Sequence, residues 1–136
     1  MRYLVKARVK PGAAAELLEA VEQGTLGAGS IAGDEYIHDL RQARLLPEGV
    51  ATWVETCFCA VPLEEERPYW ERYFELLDVR DAHSRRNCRH ENGTERWACG
   101  DCNCTQALED RLARRGQPFL VALARGELSA PSPRTP

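Results

Sequence analysis

Between Cys88 and Cys104 the chain reads CRHENGTERWACGDCNC, which packs four cysteines and one histidine into seventeen residues. A stretch this polar cannot fold around an apolar core of its own. Unpaired structural cysteines favour apolar surroundings, so the polar setting argues for ligation. Cys99 and Cys102 form a C-x2-C knuckle in which two thiolates approach one ion from a single tight turn. Cys88 is the natural third ligand, and Cys104 or His90 the fourth, completing a tetrahedron. The spacing C-x10-C-x2-C-x-C departs from the paired-knuckle zinc pattern. It marks a metal-binding loop without naming the metal. Zinc leads, and an iron–sulfur cluster is the alternative, because both accept four cysteines.

The remaining two of the six cysteines, Cys57 and Cys59, lie in a segment that reads as a strand. At i and i+2 their side chains share one face. They are lower-ranked ligands, able to join the loop cysteines, to hold Cu(I), or to act as a redox dithiol.

The length of 136 residues suits one domain with a tail, and 43% apolar residues suffice for a core. A net charge of -3 disfavours nucleic acid as partner, since phosphate binding needs a basic surplus. No apolar run approaches the ~18 residues that span a bilayer, and the start MRYLVKARVKPG lacks the apolar stretch of a signal peptide. A cytoplasmic location is expected.

Arg2 to Val9 alternates, with Tyr3, Val5, Ala7 and Val9 against Leu4, Lys6 and Arg8, which predicts a half-buried strand. Ala14, Leu17, Leu18 and Val21 predict a helix over 13–23, capped by Gly24. The glycine-rich stretch GTLGAGSIAGDE follows a helix and carries neither nucleotide fingerprint, so it reads as a connection bordering a site or an interface. Tyr36–Leu46 and Ala51–Val61 are expected to form a hairpin about Pro47-Glu48-Gly49. Tyr69, Trp70, Tyr73, Phe74 and Leu77 recur at helical spacing and predict a second helix with an apolar stripe. A short strand is expected from Val79 to Ser84. A last helix is expected from Cys104 to Arg115, capped by Asn103, with Leu108 and Leu112 as its apolar edge. PFLVALA reads as tucking back onto the body, and SAPSPRTP as a disordered tail. The domain plan is thus an α+β body over 1–84, a Cys-rich loop and helix over 85–120, and a tail over 121–136.

The order strand, helix, strand, strand, helix, strand over residues 1–84 resembles the ferredoxin-like sandwich of the dimeric α+β barrel superfamily. The pattern ERPYWERYFELL, followed by DAH and a WACxxCxC loop, is similar to that of small bacterial proteins. The resemblance implies a βαββαβ antiparallel sheet with both helices on one face. It also implies a homodimer or protein partner on the open face. That superfamily hosts monooxygenases, isomerases and ligand-binding regulators, so it does not select a function.

The register read from the alternation puts Trp53, Glu55, Cys57 and Cys59 on the open face with Lys6 and Arg8. Trp53 would then need a cover, either a partner or the cysteine loop. A small barrel enzyme would place a pocket near Trp53, Glu55 and His38. No Ser-His-Asp order, phosphate loop or HExxH helix is present, and His38 and His83 stand alone. The sequence therefore reads as a metal-binding protein with a structural zinc site in an interaction or assembly module. An iron–sulfur or dithiol redox protein and a small barrel enzyme are the alternatives.

Overall fold

The computed structural model describes residues 2–82 and 104–128, with side chains of the second segment from residue 106 onward. The chain is α+β. In order it forms β1 (Arg2–Val9), α1 (Ala14–Gln23), α2 (Glu35–Gln42), β2 (Arg44–Leu46), β3 (Val50–Thr56), α3 (Arg67–Trp70), β4 (Phe74–Asp81), α4 (Cys104–Leu112), β5 (Gln117–Pro118) and α5 (Phe119–Arg125). The strands form one antiparallel sheet in the order β4-β1-β3-β2-β5. The fifth strand extends the sheet beyond the four of the expected ferredoxin-like plan, and the helices outnumber that plan. Among the described residues no helix is long and apolar enough to cross a membrane.

Where periodicity is local and regular, expectation and structure agree. Tyr3, Val5 and Ala7 are buried along β1 while Arg8 is exposed. Gly24 closes α1 in the left-handed conformation, its N–H bonding the carbonyls of Ala20 and Val21. Pro47-Glu48-Gly49 joins β2 to β3 as a hairpin, with Leu46 opposite Val50. The PFLVALA segment forms α5, which buries Phe119, Ala122 and Leu123.

Two elements differ. Tyr36 to Gln42 is helical, because Tyr36, Asp39 and Leu40 fall at i, i+3 and i+4 and turn together into the core. The strand follows only at Arg44–Leu46. The aromatic stripe also divides: α3 is one turn, and from Phe74 the chain runs as β4. The free edge of β1 explains the switch, since pairing with it satisfies a whole row of backbone groups. The register slips between Lys6 and Ala7, which face Asp78 and Leu76. Leu77 is thereby the bulged residue, and it is 42% exposed.

The register also reassigns the faces. Val5 pairs with Trp53 and Tyr3 with Glu55, so Trp53 and Glu55 share the core face with Tyr3, Val5 and Ala7. Lys6 faces Thr52 instead. Trp53 is fully buried and needs no partner to cover it. The covering groups are aromatic: its ring centroid lies 4.6 Å from Trp70 and 5.2 Å from Phe74, and Tyr36 adds to Trp70 at 4.9 Å. These tilted pairs stabilise beyond area burial alone. On the opposite face Leu4 and Val54 border a cavity of about 320 Å³ with Leu108, Arg111 and Leu112, so α4 sits on that side of the sheet.

The glycine-rich connection is packed against this core. Gly27 has φ +74°, and a Cβ there would run into the Tyr36 ring; Gly24 has φ +71° and open space around it. Both positions resist alanine through left-handed strain of about 1–2 kcal/mol, and only Gly27 adds an overpacking cost of about 1–3 kcal/mol. Gly27→Ala is therefore expected to lose about 3 kcal/mol in denaturant unfolding, and Gly24→Ala about 1 kcal/mol.

Candidate metal centre

Strand β3 ends at Thr56, and the chain then bends. The backbone N–H of Cys59 donates to Cys57 Sγ at 3.3 Å, folding the C-x-C segment back on itself. Cys57 is fully buried in the core and Cys59 is half-buried. The next turn is set by Leu63, a buried residue held at φ +58°. A leucine in the left-handed region costs about 1–2 kcal/mol, so packing must impose it. The Leu63 N–H, like that of Cys59, is directed at the Cys57 sulfur. Past this turn Glu66, itself buried, reaches both thiols, accepting from Cys57 Sγ at 3.4 Å and from Cys59 Sγ at 3.8 Å.

One ligand atom from each of Cys57, Cys59 and Glu66 lies within 4.8 Å of the others. Two thiolates and one carboxylate are a zinc donor set, and a tetrahedral ion would have one position left. Among the described residues this is the group that can hold a metal. The predicted loop ligands Cys88, His90, Cys99 and Cys102 lie outside the described residues, as does His83. Cys104 begins α4, and its side chain also lies outside them. The pair ranked lower in sequence is thus the one that the geometry brings together.

The site opens on a cleft of about 650 Å³ lined by Ile31, Ala32, Glu35, His38, Thr56, Phe58, Cys59, Glu65 and Glu66. The glycine-rich connection forms one wall. Ser30 Oγ donates to Glu65 Oε1 at 2.8 Å, and the Ile31 N–H donates to Glu65 Oε2 at 3.1 Å. On another side His38 Nε2 meets Glu109 Oε2 of α4 at 2.9 Å. The pocket expected near Trp53, Glu55 and His38 is therefore bordered by His38 alone of the three. Trp53 and Glu55 lie behind it in the core.

The electrostatics are one-sided. Among the described residues Asp39, Glu55, Glu66 and Glu109 are buried acids, against Arg2 as the buried cation. The cleft adds Glu35 and Glu65, and among the described residues neither lysine nor arginine lines it. In a medium of reduced dielectric the ionised members of such a cluster attract cations. Burial, reinforced by the Glu66 carboxylate, pushes the Cys57 thiol up to about 12, while the N–H groups of Cys59 and Leu63 pull the other way. A bound dication would replace the proton and invert that balance.

Glu55 is held between two indoles. Trp53 Nε1 and Trp70 Nε1 each donate to its Oε1 at 2.9 Å. Burial raises its carboxyl to about 7, and the two indole hydrogen bonds oppose that shift. Burial likewise raises Asp39 well above the usual carboxylate range.

Glu66 is the candidate ligand that sequence reasoning missed. Its signal was the acidic run Glu64-Glu65-Glu66 shortly after the C-x-C pair. Such a run is ordinarily a solvated surface, and only the left-handed turn at Leu63 aims one member inward.

A carboxyl whose folded pKa exceeds its unfolded value contributes most stability at low pH. Its contribution falls as pH rises from about 4.5 to about 7 and is then constant. The metal-free protein is therefore expected to be more stable at pH 5 than at pH 7.5, with Glu55 changing by on the order of 1 kcal/mol per pH unit. Glu55→Gln keeps an acceptor for both indoles and removes its share of this slope. Urea unfolding across that pH range measures both.

No family model, curated protein or solved structure matches the chain.

Proposed function

We propose that the protein is a zinc-binding protein whose cleft centre is formed by Cys57, Cys59 and Glu66. The observation that carries the reading is the convergence of two thiols and one buried carboxylate from either side of a strained turn. The mixed sulfur and oxygen donors favour zinc over an iron–sulfur cluster, which is held by cysteine thiolates. The surrounding carboxylates favour a dication over a neutral or anionic ligand.

The Cys-rich segment supplies a second centre in this reading. Cys88, Cys99, Cys102 and Cys104, with His90 in reserve, hold a structural zinc that closes residues 85–115. The support is the density of thiols in a polar stretch. Two metal sites and no recognised catalytic constellation suit an interaction or assembly module better than a barrel enzyme.

Elemental analysis of protein purified without oxygen is expected to find two zinc per chain. The Cys57→Ser, Cys59→Ser pair should lose one, and the Cys99→Ser, Cys102→Ser pair should lose the other. A single zinc lost equally in both variants would merge the two centres into one. Full retention in the first variant would remove the cleft centre. Each thiol that binds must shed its proton. The affinity of the cleft centre is therefore expected to rise steeply between pH 6 and pH 8, by up to two powers of ten per pH unit for two thiols. Competition with a chromogenic chelator reads that slope.

A further inference from the structure

Cys57 and Cys59 are placed for chemistry as well as ligation. Cys59 lines the cleft while Cys57 is sealed behind it. Their sulfurs, with a Glu66 oxygen, fall within one 4.8 Å group, and both thiols donate to the same Oε1. The pair lies past the end of β3, where the chain already folds back through the bond from the Cys59 N–H to Cys57 Sγ. Among the described residues the entrance carries Glu35, Glu65 and Glu66 without a lysine or arginine, between the exposed apolar side chains of Ile31 and Phe58.

We propose that in the metal-free protein Cys57 and Cys59 form a dithiol that exchanges with small cationic disulfides admitted by the acidic cleft. This uses the residues of the zinc centre but does not depend on zinc being its physiological ion.

Cys59 is the attacking thiol, because it alone of the two reaches the cleft. Its proton passes to Glu66, and its sulfur attacks one sulfur of the small disulfide. The S–S bond breaks, and the first small thiolate leaves and takes the proton from Glu66. Cys57 then gives its own proton to the same carboxylate and attacks the Cys59 sulfur of the mixed disulfide. The bond to the second small thiol breaks, and that thiolate leaves with the proton. Two electrons pass from the protein dithiol to the small disulfide, which becomes two thiols. Glu66 ends as it began, having carried the proton in both steps. The product cannot chelate, so oxidation releases the ion and binding of the ion protects the dithiol.

The cleft selects by charge. Like-charged disulfides are repelled and cationic ones concentrated, an effect that reaches about 10–10³-fold in rate and collapses when salt shortens the screening length to about 3 Å.

The test uses the metal-free full-length chain with three disulfides: cationic cystamine, neutral hydroxyethyl disulfide and anionic oxidised glutathione. Tryptic cleavage at Arg44 and Arg72 isolates Cys57 and Cys59 from the other cysteines. The expected result is a Cys57–Cys59 disulfide in that peptide, formed at least about tenfold faster with cystamine than with oxidised glutathione at low salt. The ratio should approach one at about 1 M salt. Cys57→Ser should stop at a mixed disulfide on Cys59, Cys59→Ser should leave Cys57 unmodified, and Glu66→Gln should slow exchange while retaining the charge preference of Glu35 and Glu65. Failure to form the Cys57–Cys59 disulfide, or equal low-salt rates with the cationic and anionic reagents, would overturn the proposal. Zinc binding without exchange removes this inference alone, and exchange without zinc binding removes the zinc reading alone.

Discussion

A carboxylate buried between two indoles organises this molecule. Glu55 accepts from Trp53 on its own strand and from Trp70 on α3, so one side chain ties the sheet to the chain that returns after the C-x-C bend. Each such hydrogen bond contributes about 0.5–1.5 kcal/mol, and a buried indole left unpaired would cost about 1–3 kcal/mol. The ring pairs from Tyr36 through Trp70 and Trp53 to Phe74 extend the same tie across four elements. Residues 57–66 lie inside this closure. The position of Glu66 against Cys57 and Cys59 follows from where Trp53 and Trp70 are held.

The same closure gathers carboxyl groups. Asp39, Glu55, Glu66 and Glu109 come from α2, β3, the turn before α3, and α4, so four separate parts of the chain converge on one region. Burying several carboxyls together is costly unless they are protonated, paired or neutralised by a cation. Glu55 and Asp39 take the first course, with pKa values pushed upward. Glu109 takes the second with His38. Glu66 faces two thiols, and a metal ion bound there would provide the third. A stability cost in the metal-free state would thus favour a bound cation.

Much of this was readable from local pattern. The alternation of β1, the apolar spacing of α1 with Gly24 beyond it, the Pro47-Glu48-Gly49 turn and the return of PFLVALA are properties of short segments. Each segment's own periodicity determines it. The misread elements were decided by partners far away in sequence. Tyr69 to Leu77 has helical spacing, yet the unpaired edge of β1 draws Phe74 onward into the sheet, with Leu77 bulged out. The face of Trp53 depended on which residue of β1 it opposes, and alternation alone leaves that choice open. The C-x-C pair announced itself as a ligand motif. Its third member waited on a left-handed leucine that no composition rule anticipates, and the loop motif Cys88–Cys104 lies outside the described residues.

The account turns on the identity of the atoms around one ion. X-ray absorption at the zinc edge, on full-length protein with Cys88, Cys99, Cys102 and Cys104 changed to serine, examines the cleft centre alone. The account predicts one zinc with two sulfur neighbours at about 2.3 Å and oxygen or nitrogen neighbours at about 2.0–2.2 Å. A spectrum without sulfur, or a folded variant that binds no zinc, would contradict it.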